Sequence, residues 1–167
     1  MKRLYAQHEA KEEAFRTFED LEVYKKARQF RKAMYGVTRR LPDFEKNELA
    51  SQIRRATVSL TNNIAEGHGR FHYLEQLKFL FQARGSLQEL IDDLNVCEDE
   101  NYLLSSEVVA LKEQAKEVQR LISGYARYLR ARKFGSVLTV QKSLTKRNFS
   151  PSWIHFLTIQ LFNLSTS

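Results

Sequence analysis

Gln52-Ile-Arg-Arg-Ala-Thr-Val-Ser-Leu-Thr-Asn-Asn-Ile-Ala-Glu-Gly-His-Gly-Arg70 is the stretch around which the chain reads as helical. Ile53, Ala56, Thr57, Leu60, Ile64 and Ala65 recur at steps of three and four residues, as one face of a helix requires. The other positions lack the usual Glu/Lys coating. They carry Arg54, Arg55, Asn62, Asn63 and Glu66, a donor-rich set, before the pattern stops at Gly67 and Gly69. A solvated face closed by a glycine C-cap would read the same way on composition alone.

Working outward, the preceding segment shows a second stripe. Leu21, Tyr24, Ala27, Phe30, Met34, Val37 and Leu41 follow the capping cluster Thr17-Phe-Glu-Asp20 and lead to Pro42, which ends a helix. Asp43 can cap the helix that holds the opening stretch, with Glu45 at its positive end. Beyond Gly69, Leu74, Leu77, Leu80, Phe81, Leu87, Leu90, Ile91 and Leu94 predict a third helix. Gly85 inside it costs about 1 kcal/mol relative to alanine, so Gly85 and Ser86 are expected to face another helix. The acidic run Glu98-Asp-Glu-Asn101 suits a loop, with Tyr102 and Leu103 folding back.

Ser105 or Ser106 caps a fourth helix with the stripe Val109, Leu111, Ala115, Val118, Leu121, Ile122, Tyr125 and Leu129. Arg127, Arg130, Arg132 and Lys133 would then occupy its last turns, where cations suit the negative helix end. Four amphipathic helices on short connections predict an all-α, antiparallel up-down four-helix bundle over residues 17–134. Residues 1–16 read as a charged leader. Residues 135–167 form a C-terminal extension, mildly strand-like over 136–148 and apolar on nearly every side from Trp153 to Leu164.

The totals bound the function. Only two prolines and six glycines occur in 167 residues, as long helices require. The net charge of +7 and pI near 9.6 favour anionic partners such as nucleic acid or acidic lipid. Cys97 is the single cysteine, so an intrachain disulfide is impossible and a reducing, cytoplasmic setting is expected. The N-terminus has no apolar signal region, and no run approaches the ~20 apolar residues of a membrane span, so no membrane partner is expected.

Chemistry is scarce. His68 and His72 stand four apart, but Gly69 interrupts them and no third ligand has convincing spacing, so no metal is predicted. Gly67-His-Gly69 follows a helix rather than a strand, which excludes a phosphate loop. Cys97 is expected to be a small buried hydrophobe. No catalytic residue and no cofactor are predicted, and the chain does not read as an enzyme. The basic residues Lys25, Arg28, Lys32 and Arg39, with Arg54, Arg120, Arg127 and Arg130, fit either a phosphate-binding surface or a solubilising coat. Glu22, Glu48, Glu113 and Glu117 partly balance them.

Gln52-Ile-Arg-Arg-Ala through Asn63-Ile-Ala-Glu-Gly67, Phe18-Glu-Asp-Leu21 with Tyr24, Pro42 to Leu49, and Arg84-Gly-Ser-Leu-Gln-Glu-Leu90 together resemble a known family. It is the bacterial four-helix-bundle family of 23S rRNA intervening-sequence proteins, also called S23 ribosomal proteins. The resemblance covers roughly residues 17 to 134. It implies a homopentamer around a central channel. It also implies kinship with the accessory variability determinant of diversity-generating retroelements, whose basic pentamers bind nucleic acid and a reverse transcriptase. RNA or an RNA/DNA hybrid is therefore the expected ligand, and a reverse transcriptase a candidate partner. A scaffold that docks on a protein without holding nucleic acid is the rival. Arg55, Asn63, Glu66, Gly67, Gly85, Ser86 and Glu89 match the family's characteristic positions. They are expected to serve bundle and subunit packing, with Arg55 paired to Glu66 or Glu89.

Overall fold

In the computed structural model the described residues are 17–145, with side chains described for 17–132. The leader (residues 1–16) and the apolar segment from Trp153 to Leu164 lie outside them. Four helices follow in order: α1 (Glu22–Thr38), α2 (Leu49–His68), α3 (Tyr73–Asp99) and α4 (Ser105–Thr145). The unit holding the bundle ends at Arg127, and Tyr128 onward belongs to a second compact unit. All-α architecture and the four-helix bundle are as the periodicity predicts.

The capping cluster acts one turn earlier than the helix it announces. Thr17 accepts from the Glu19 amide and Asp20 accepts from the Thr17 amide, closing a 3-10 turn over Phe18–Asp20. Phe18 then packs edge-on against Tyr24 at 4.8 Å, fixing the entry to α1. Ala27, Phe30, Met34 and Val37 are fully or almost fully buried. Burial of a side chain such as Phe30 or Met34 contributes about 1.5–3 kcal/mol. The helix ends at Thr38, before Pro42 is reached.

Asp43 does not cap α2. Asp43–Lys46 is a separate 3-10 turn, and α2 starts at Leu49. Glu45 does the capping instead: its Oε2 accepts from the Leu49 amide at 3.2 Å, where the exposed N–H groups favour a carboxylate. Its other oxygen accepts from the Tyr102 hydroxyl at 3.0 Å, so the α3–α4 loop does fold back onto the chain. That loop turns at Asn101, with φ 58°. The amides of Tyr102 and Leu103 both donate to the Cys97 carbonyl, at 2.8 and 3.2 Å, which satisfies an orphan group of the helix end.

The helices pack antiparallel in sequence order. Arg31 of α1 reaches Thr61 of α2 at 2.8 Å. Gln52 and Ser59 of α2 meet Asp93 and Ser86 of α3. α4 packs between α3, through Lys112–Glu98, and α1, through Lys26–Glu117, with Arg40 just past the end of α1 paired to Glu107.

Two expectations for α4 are corrected. Its buried stripe runs through Val108, Leu111, Ala115, Val118, Ile122 and Ala126, whereas Val109 is 59% exposed. With two adjacent valines the phase is set by the later residues, and they select Val108. The strand-like reading of 136–148 also fails where it can be compared, because α4 continues through Gly135 to Thr145. Extending an existing helix needs no new nucleus, so its β-branched residues do not stop it. The cations from Arg127 to Lys133 are therefore not in the last turn, and the helix-end explanation for them lapses.

Candidate nucleic-acid interface

α1 carries five cations and one acid, Glu22, at its first position. The cations divide by direction. Lys26 pairs with Glu117 at 3.0 Å, and Arg31 donates to Thr61 on the side toward α2. Just beyond the helix, Arg40 pairs with Glu107 at 2.8 Å, holding that carboxyl below the usual range. Lys25, Arg28 and Lys32 point away from the bundle and have no ion-pair partner among the described residues. At 100° per residue these three and Arg39 span an arc of about 60°, on a ridge about 20 Å long. The ridge is a single-sign surface.

Of the other basic residues expected in the site, Arg54, Arg120 and Arg127 do not join it. Arg54 is half-buried, and its Nη2 donates to the Lys46 carbonyl at 2.8 Å, which ties down the α1–α2 connection. Arg120 and Arg127 are exposed seven residues apart on the outward face of α4, beside a Lys116–Glu113 pair. Outward faces of neighbouring helices in a bundle diverge by about 90°, so these arginines address a different surface. Arg130 falls in the second unit.

The positions assigned to packing also separate. Asn63 donates to the carbonyl and hydroxyl of Ser59, and Ser59 shares a 2.8 Å hydrogen bond with Ser86. Gly67 lies inside α2 rather than ending it, and a Cβ there would stand 3.0 Å from Phe79 Cβ and 3.3 Å from the Gln76 carbonyl. It is the place where α2 and α3 approach closely. Gly85, expected in that role, is exposed, and a Cβ on it would meet nothing within 4 Å. Only its neighbour Ser86 faces a helix.

Arg55 pairs with neither expected acid. Its Nη1 donates to Ser51 at 2.7 Å, and Glu66 pairs with Arg70. Glu66 lies eleven residues beyond Arg55 on one helix, about 16 Å away and out of reach. Glu89 stands exposed on α3.

Sequence reasoning missed one group altogether. Asp93 is 2% exposed, takes a 2.8 Å hydrogen bond from Gln52 on Oδ1, and leaves Oδ2 buried without a partner among the described residues. Its signal was a second acid, after Asp92, at a position on the apolar stripe between Leu90 and Cys97. Cys97 is fully buried as expected, and burial, with the charges of Asp93 and Glu45, pushes its thiol up to about 11.

His68 Nδ1 lies 3.3 Å from the Tyr125 hydroxyl. No group of three or more potential metal-ligating side chains is gathered among the described residues, and no helix there is long and apolar enough to cross a membrane.

The model of the 23S rRNA-intervening sequence protein family matches residues 19–124, spanning all of α1, α2 and α3 and half of α4. No curated protein matches the chain. The match covers well over half of the sequence and the helices that build the bundle, and the chain belongs to the 23S rRNA-intervening sequence protein family.

Proposed function

We propose that this chain is a non-catalytic, cytoplasmic, homo-oligomeric protein that binds RNA or an RNA/DNA hybrid through its phosphates. The observation that carries the reading is the ridge of Lys25, Arg28 and Lys32, which point outward without ion-pair partners among the described residues while Lys26 and Arg40 beside them are engaged. Cations free to meet phosphates release condensed counterions on binding, which makes affinity fall steeply with salt. Contacts to phosphates carry no sequence information, so binding is broad in sequence. On this reading a nucleic-acid enzyme, such as the reverse transcriptase of a diversity-generating retroelement, is the fitting protein partner.

The test is binding to RNA, DNA and hybrid duplexes across a salt series, with assembly mass followed by light scattering. Replacing Lys25, Arg28 and Lys32 together by glutamine should weaken binding and reduce the log–log salt slope by roughly 2–3. Unchanged affinity would remove the ridge from the site. An assembly that binds no nucleic acid would favour a protein-docking scaffold, for which Phe44 and Leu104, each 71% exposed, are the first surface to alter.

A further inference from the structure

The α2–α3 contact holds a carboxylate that the nucleic-acid reading does not use. Asp93 sits on the buried face of α3 between Leu90 and Cys97, with 2% of its surface exposed. One neutral donor serves it, the Gln52 amide at 2.8 Å from Oδ1. Its second oxygen is buried with no hydrogen-bond partner among the described residues. A buried carboxylate ordinarily needs a cation or several donors to offset its lost hydration. Here the surroundings have the wrong sign. Glu89 and Asp92 of the same helix add repulsion. Cys97, one turn on, is a neutral thiol, and Glu45 from the α1–α2 connection approaches that thiol while bonded to Tyr102 of the α3–α4 loop. From α2 the group that acts on it is the neutral Gln52 amide. None of the ion pairs among the described residues includes it.

We propose that Asp93 is a proton-operated lock on the α2–α3 seam, closed when its carboxyl is neutral and loosened when it carries a charge. Protonation removes the uncompensated charge and leaves the Gln52 hydrogen bond in place. Burial first, then the charge of Glu89, raises its pKa from the ordinary 3.8 to about 6, against the lowering effect of Gln52. The folded chain therefore holds the proton more tightly than the unfolded chain. The stabilisation from this group is complete below the ordinary value and is lost as pH rises through the interval up to about 6. A gap of that size corresponds to roughly a hundredfold change in the folding equilibrium constant.

The experiment compares the full chain with Asp93→Asn, an uncharged side chain of the same shape. Urea denaturation is followed at pH 4 and pH 7.5, together with a carboxyl carbon NMR titration of the native chain. The asparagine variant should gain roughly a hundredfold in folding constant over the native chain at the higher pH relative to the lower. The Asp93 carboxyl should titrate well above ordinary aspartates. Parallel pH profiles for the two proteins would overturn the lock. So would an Asp93 that titrates in the ordinary range, a reading that stands even if the variant fails to fold.

Discussion

Gln52 meets Asp93 across α2 and α3 at 2.8 Å, and one heptad along each helix Ser59 meets Ser86 at the same distance. One heptad further, with a single-residue offset, Gly67 lies against Phe79. On its α2 side the seam between these helices is thus a ladder of polar and small residues, Gln52, Ser59 and Gly67, at steps of seven and eight, set between the apolar layers. An interval of 3.5 residues per turn keeps each rung facing the partner helix. Ser86 and Asp93 account for two of the five buried polar or charged residues among those described, so the ladder carries much of the bundle's buried polarity.

The two glycines near this seam predict opposite responses to one added methyl. Gly67→Ala should destabilise the chain by about 1–3 kcal/mol, because both neighbours of the new Cβ belong to the fixed part of α3. Gly85→Ala should stabilise it by about 0.5–1 kcal/mol, since the position is helical, exposed and open. Urea midpoints check both. A Gly85→Ala variant that folds well but loses assembly mass would mark the outward face of α3 as a subunit contact.

Cys97 should be nearly silent toward thiol reagents in the native chain. It is fully buried, and its thiol is held at about 11, so little thiolate exists at pH 8. A colorimetric disulfide reagent should label it only slowly in buffer and completely within mixing time in concentrated urea. Labelling in buffer at the rate of a free thiol would contradict the packing of α3 at this turn.

Asn101 holds the one positive φ outside glycine among the described residues, at 58°. Asn101→Gly should therefore be neutral or slightly stabilising. Asn101→Val should cost at least about 1 kcal/mol, because a β-branched residue is strained in that conformation. Thermal melts of the pair measure the difference.

Much of this was legible in the residues. The stripe of α1 is buried as read at Leu21, Ala27, Phe30, Met34 and Val37, since one-helix periodicity needs no knowledge of the partner. Features that depend on a facing helix were not legible. Which glycine is crowded depends on what the neighbouring helix presents, and nothing local separates Gly67 from Gly85. Arg55 and Glu66 share a side of α2 but not a level, which pattern matching ignores. Asp93 was not legible as a buried group because its partner Gln52 lies 41 residues away in the chain. The α1 ridge was visible as spacing; that Lys26 and Arg40 would be drawn off into pairs, leaving Lys25, Arg28 and Lys32, was not.

The heptad repeat of the seam also leaves a competing alignment. Sliding α3 along α2 by one heptad, about 10 Å, would set Ser59 opposite Asp93 and Gly67 opposite Ser86, a pairing of small and polar residues. Side-chain complementarity alone discriminates weakly between the two alignments. The connection between α2 and α3 is only Gly69 to His72, and four residues cannot absorb such a displacement without melting a helix end. Correct pairing of α2 with α3 is therefore enforced by the brevity of that turn, and inserting several residues there would free the chain to populate both alignments.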